Sequence, residues 1–297
     1  MNRLIKIGLF FMLPIGTLLF FLLSMSSYHL PFYHPQLPNQ KKVIVIGNSH
    51  PECAIIEEAY DDFVNLGKSG ECFYYSVKKA EWLVANNPQV KQVWIELAPN
   101  QFMPHMAKWI GDVEYEQRAM LSFPFLMDFD WEWNAWSKAP VTSLQTKLVQ
   151  ARRYWSAVLW PQWSADRDAM KWGGYREMKG RSKTFENEEE KRTSVLQPNA
   201  ENWNSLYQFC KKMQSIGVQV HAFQCPEFEQ YEIFDRVVAY CKKNDLAVNG
   251  YHQIAFTCGD PSLFYDAGHL NEKGAKAFTI AFENELSHQL QHKNLLH

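Results

Sequence analysis

Lys41–His50 reads KKVIVIGNSH, and this stretch decides the fold. Val43 to Ile46 are four consecutive β-branched residues, and Gly47 ends the run. A strand with no polar alternation has both faces covered, as in a parallel sheet lying between helices. Outward from it, Pro51 to Phe63 is expected to be a helix, with Pro51 tolerated in its first turn. Asn65–Glu71, NLGKSGE, reads as a turn, CFYYS as a short strand and VKKAEWLVANN as an amphipathic helix. VKQVWIEL is a second clear strand, closed by APN. Strands and helices alternating through short turns predict an α/β class fold, a three-layer sandwich with a mainly parallel sheet.

The alternation is interrupted from about residue 101 to 198. Eight of the eleven tryptophans fall there, and Lys171 to Arg192 carries twelve charged residues. The expectation is a helical insertion ending in a solvated, mobile charged loop. Its tryptophans suit an ordinary core, an acceptor groove or a membrane interface. The pattern then resumes. Glu201 to Ser215 is expected as a helix, VQVHAF as a strand, Glu229 to Lys243 as a helix and LAVN as a further strand. EKGAKAFTIAFENELSHQL is the terminal helix, with Asn271 as its cap. There is no internal repeat.

The chain has 297 residues, 46% of them hydrophobic, with 30 Lys+Arg against 32 Asp+Glu. This balance argues against nucleic acid as the main partner, because phosphate binding needs a concentrated positive field. The 20 Phe, 13 Tyr and 11 Trp argue against wholesale disorder. No CxxC or Cys/His cluster has metal-ligand spacing, so zinc has no support, and no cofactor is expected.

Gly8 to Tyr28 contains no charged side chain. As a helix it would be about 30 Å long, the thickness of a bilayer's hydrocarbon core. Arg3 and Lys6 precede it, which by the positive-inside rule leaves the N-terminus in the cytoplasm. An uncleaved anchor is preferred to a cleaved signal peptide, because the apolar core is long and no Ala-x-Ala box follows. A buried helix of a globular core is the third reading. The expected organisation is therefore a cytoplasmic tip and transmembrane anchor at 1–28 and a linker at 29–40. The α/β domain occupies 41–297, with the insertion at about 101–198. On this reading the protein is single-pass in the inner membrane, with the bilayer as partner of residues 8–28 and the domain periplasmic or extracellular. Cys53, Cys72, Cys210, Cys225, Cys241 and Cys258 would then meet oxidising conditions, where disulfides and buried thiols are both open.

Ligands of an open parallel sheet bind beyond the carboxyl ends of its strands. Ser49, Gly70 and Asn100 fall at such ends, and Asp266 with His269 stands before the last helix. A serine hydroxyl becomes a nucleophile when a base takes its proton. His269 can be that base, and Asp266 can hold its other ring nitrogen. The amides of Ser49 and Gly70, with the Asn100 side chain, would receive an oxyanion. Each residue also has a structural account. Ser49 can cap a helix, Asp266 a turn, and Gly70 can serve turn geometry alone. His50 reads as a supporting residue.

These blocks resemble those of the SGNH, or GDSL-like, hydrolases. GNSH (Gly47–His50) is similar to the first, with Ser49 at the nucleophile, and NLGKSGE to the second, with Gly70 at the oxyanion glycine. DAGHLNEKG (Asp266–Gly274) is similar to the last, which gives Asp266 and His269. Asn48 stands where the family usually has Asp, and APNQ replaces the usual third block, with Asn100 at its strand end. The resemblance implies a flavodoxin-like fold and a serine-dependent esterase or O-acyltransferase. Its membrane-anchored cell-envelope branch implies acyl groups, acetyl above all, on envelope polysaccharide, with a multi-spanning acyltransferase as a further partner. Two rivals stand beside it. One is a non-catalytic envelope carbohydrate-binding or assembly protein; the other is glycoside hydrolysis by Glu52 and Glu96, whose separation the sequence does not fix.

Overall fold

The computed structural model describes residues 16, 36–57, 60–98, 101, 133, 136–137, 139–159, 173–181, 200–228, 238–240, 242–243 and 248–294. The chain divides into two compact units, Gln36–Ile110 with Trp172–His297, and Met1–Pro35 with Gly111–Lys171. The first contains a five-stranded, wholly parallel sheet: β1 (Val43–Ile46), β2 (Phe63–Asn65), β3 (Gln92–Glu96), β4 (Gln219–Phe223) and β5 (Gly250–His252). Its order is β2-β1-β3-β4-β5. The order of strand addition reverses at β1, with β2 on one side of it and β3 on the other, so the carboxyl ends of β1 and β3 frame the crevice where such sheets bind ligands.

Every residue of β1 is fully buried, and alternation divides them between two cores. Ile44 and Ile46 join Val93, Ile95 and Val220 beneath two covering helices, Phe73–Asn86 and Ala200–Ser215. Val43 and Val45 join Trp94 and Phe223 on the opposite face, beneath Phe278, Phe282 and Leu286 of the terminal helix Glu272–Asn294. The three layers expected for the α/β domain are therefore present. In chain order the helices are α1 (Ser49–Ala54), α2 (Phe73–Asn86), α3 (Pro140–Leu159), α4 (Ala200–Ser215) and α5 (Glu272–Asn294). Asn271 caps α5 as expected, accepting from the amides of Lys273 and Gly274.

Several local expectations are corrected. The helix after β1 stops at Ala54, and Phe63–Asn65 is the edge strand β2. Asn65 holds that exchange in place, donating to the carbonyls of Pro51 at 2.7 Å and Ile55 at 2.8 Å. CFYYS is not a strand: α2 begins at Phe73, because Phe73, Val77, Ala80, Leu83 and Val84 align on one buried face at helical spacing. The last strand lies at Gly250–His252, just beyond LAVN. Of the helix expected at 229–243, residues 238–240 and 242–243 are helical and the others lie outside the described residues.

The membrane expectations are corrected as well. Among the described residues no helix is long and apolar enough to cross a membrane, which requires about twenty consecutive apolar residues. Residues 8–28, apart from Gly16, lie outside the described residues. The transmembrane helix, the bilayer as partner, the single-pass inner-membrane topology and the periplasmic or extracellular placement are withdrawn. The multi-spanning acyltransferase partner rested on that topology and goes with it, and the fold does not test an envelope-polysaccharide substrate. In the insertion, α3 is helical, with Ala151 and Ser143 buried and Val141, Leu144 and Leu148 exposed.

Candidate active site

β1 delivers Gly47-Asn48-Ser49 to the carboxyl edge of the sheet, and α1 begins at Ser49. Asn48 is the cap: its side chain accepts from the His50 amide at 2.9 Å. An Asn at this position thus keeps the acceptor that an Asp would supply. On the far side of the chain, β6 (Phe264–Asp266) and β7 (His269–Leu270) form a two-stranded antiparallel hairpin. Asp266 and His269 are paired across it, so their three-residue spacing reflects a tight turn. The Gly268 amide donates to Asp266 Oδ1 at 2.9 Å and fixes the carboxylate.

These two loops meet. His269 Nε2 lies 2.8 Å from Ser49 Oγ, and His269 Nδ1 lies 2.8 and 3.0 Å from the two Asp266 oxygens. Burial alone would raise the Asp266 carboxyl. The His269 hydrogen bond and charge, with the Gly268 and His269 amides, outweigh it and hold the group below the ordinary aspartate value. Ser49, His269 and Asp266 are thus brought together in one hydrogen-bonded line, with the partly exposed His269 between the other two. The separated arrangement that would favour a non-catalytic protein is not what the fold contains.

The loop after β2 approaches α1 closely. A Cβ on Gly67 would stand 2.6 Å from the Glu52 amide nitrogen and 2.9 Å from Pro51 Cγ. Gly70 sits in an exposed turn with φ of +70° and open space around it. The glycine that close contact demands is therefore Gly67, while Gly70 serves the left-handed turn. Asn100, the third expected oxyanion donor, lies outside the described residues.

Four further residues frame Ser49: His50, expected as a supporting residue, Glu52 and Glu96, expected only as a rival carboxylate pair, and Glu227, which the sequence did not single out. Glu96, fully buried at the end of β3, accepts from the Asn48 amide at 3.3 Å and meets His50 Nδ1 at 2.8 Å. Glu227 lies 3.9 Å from the same His50 nitrogen. The His50 and His269 rings meet edge to face, 5.5 Å apart. Glu52 accepts from the Ser69 amide at 3.1 Å and from its hydroxyl, and pairs with Arg176 Nε at 3.4 Å. Glu52 and Glu96 therefore hold different partners in the frame of α1.

Arg176 belongs to the charged run expected to be solvated and mobile. Residues 173–181 instead run along the site: the Gly174 amide donates to Gly67, the Arg176 amide to Glu52 at 2.7 Å, and the Glu272 amide to Met178. Gly173 permits this course, since a Cβ there would stand 2.4 Å from the Leu66 carbonyl. Only the partner positions carry the signal, which is why charge density in the sequence did not reveal it.

No family model and no curated protein matches the chain. A solved structure that it resembles is that of a protein from Bacteroides fragilis proposed to be an acylhydrolase. It shares 12% identity at a TM-score of 0.39, with 90% of this chain and 94% of that chain covered. The membership expected from the motifs, in the membrane-anchored cell-envelope branch of the SGNH family, is corrected to this distant, low-identity likeness. A likeness so weak carries no chemistry across.

Proposed function

We propose that the α/β domain carries out serine-dependent acyl chemistry, as an ester hydrolase or O-acyltransferase working through an acyl-serine. The observation that carries this reading is the unbroken line from Ser49 Oγ to His269 Nε2 and from His269 Nδ1 to Asp266. In the proposed reaction Ser49 Oγ attacks the ester carbonyl while its proton passes to His269 Nε2. The tetrahedral oxyanion is assigned to the amides of Ser49 and Gly70, with Asn100 as third donor. Collapse breaks the bond to the alkoxide leaving group, which takes the proton from His269. Water or an acceptor hydroxyl then gives a proton to His269 as it attacks the acyl-serine; collapse breaks the acyl–Oγ bond, releases the acid or new ester, and Ser49 Oγ takes the proton back from His269. Asp266 keeps one ring tautomer and stabilises the imidazolium, a role that suits a carboxyl held below its ordinary value.

The test is labelling of the full chain with a fluorophosphonate probe, with S49A and H269A as controls. Modification of wild type at Ser49 and its loss in both variants are expected. Equal labelling of wild type and S49A would overturn the reading. Product analysis with a p-nitrophenyl ester, with and without an added alcohol, separates hydrolysis from transfer.

A further inference from the structure

The buried carboxylate of Glu96 has no part in the proton transfers above, yet it grips both neighbours of Ser49. Its Oε2 accepts from the backbone amide of Asn48, 3.3 Å away, and its Oε1 meets His50 Nδ1 at 2.8 Å. Glu96 is fully buried and His50 is 6% exposed, so neither contact is loosened by water. Gly47 is what lets the carboxylate in: a Cβ there would stand 2.7 Å from Glu96 Oε2 and 2.8 Å from Glu96 Cβ. The grip also ties neighbouring strands together at the crevice, since Glu96 ends β3 and Ser49 follows β1.

We infer that Glu96 is the positioning residue for Ser49, fixing the start of α1 through Asn48 and His50 so that Oγ stays within reach of His269. This inference rests on the acyl-serine reading. A carboxylate suits the task because its two oxygens accept one bond each from two donors. Alanine offers neither, and leaves a buried amide and a buried ring N–H without that acceptor. A glutamine keeps an acceptor for Asn48 only by turning its NH2 toward His50 Nδ1, which forces the ring into its other tautomer.

The experiment measures fluorophosphonate labelling of Ser49 in the full chain as probe affinity and maximal rate separately, for wild type, E96A, E96Q and S49A. For E96A the maximal rate is expected to fall about 100-fold at unchanged probe affinity, the scale of loss that a small misplacement of a reacting group causes. For E96Q a loss of about tenfold is expected, with a changed 15N signal of the His50 imidazole reporting the tautomer. An E96A rate within about twofold of wild type overturns the inference while leaving the serine reading intact. If E96A does not fold, E96Q decides: an unchanged rate with an unchanged His50 signal overturns it. If S49A labels as fast as wild type, the serine reading falls and the inference falls with it.

Discussion

His269 Nε2 lies 2.8 Å from Ser49 Oγ although 220 positions separate the two residues. Neither residue reaches the other by local geometry. The serine is carried to the sheet edge by β1, and the histidine by a hairpin that packs between β1's helix and the start of α5. The contact depends on long-range folding, and so does any activity built on it.

Asp266 gives this line a pH signature. Its pKa is lower in the folded chain than the ordinary 3.8, so its contribution to stability is present above the ordinary aspartate range. The contribution is lost as pH falls through the lower folded value. D266N should therefore unfold more easily than wild type above about pH 5, with the difference shrinking towards pH 2. Urea unfolding across that range checks it, and a difference independent of pH would contradict it. Labelling of Ser49 in D266N should fall by about a thousandfold or more, because the ring loses the partner that fixes its tautomer.

Much of this was legible in the sequence, for identifiable reasons. Val43–Ile46, four β-branched residues closed by Gly47, reads as a buried strand, and the spacing of Asp266 and His269 suggests a short-range pair. Ser49 was legible through its place after that strand. What was not legible depends on partners distant in sequence. Phe63–Asn65 reads as the end of a helix until Asn65 is seen holding the carbonyls of Pro51 and Ile55. Glu96 reads as a strand residue, or as half of a glycosidase pair with Glu52, until Asn48 and His50 are found against it.

The two glycines of the β2 loop should respond differently to alanine. At Gly67 the new methyl meets the Glu52 amide nitrogen at 2.6 Å, and backbone cannot swing aside as a side chain would. G67A is expected to cost about 1–3 kcal/mol and to slow Ser49 labelling, because α1 is what must move. At Gly70 nothing stands in the way, and the cost is the left-handed backbone alone, about 1–2 kcal/mol. Denaturant unfolding together with labelling rates separates the cases. A G67A protein that labels at the wild-type rate would show that the loop does not bear on the nucleophile.

Behind the same loop, Lys79 is fully buried, 2.6 Å from the Leu66 carbonyl and 2.8 Å from Glu71, which also accepts from Ser76 at 2.7 Å. Burial pulls the Lys79 pKa down and the Glu71 carboxylate opposes that pull. K79M strands Glu71 and should destabilise by about 3–5 kcal/mol. The double variant K79M/E71Q removes the stranded charge and should recover part of the loss. Urea midpoints for both decide it: a K79M chain as stable as wild type would mean that the pair does not hold the loop.

The last prediction uses a thiol as a reporter on α1. Cys53 lies on the same helix as Ser49, is 1% exposed, and has its pKa raised by burial to about 11 despite the Arg176 hydrogen bond at 3.4 Å. At pH 8 it should hold about a hundredth of the thiolate of an ordinary cysteine, and burial slows reagent access further. Cys225, also buried, is raised well above the usual thiol value, whereas Cys258 is only partly covered. Iodoacetamide followed by peptide mass mapping should therefore find Cys258 modified first among these three, with Cys53 and Cys225 protected. Alkylation of Cys53 as fast as Cys258 would mean that α1 opens in the native protein, and a nucleophile on so loose a helix would not stay aligned with His269. In E96A the same protection at Cys53 would separate a displaced serine from an unfolded helix, because α1 can shift as a unit while its thiol remains covered.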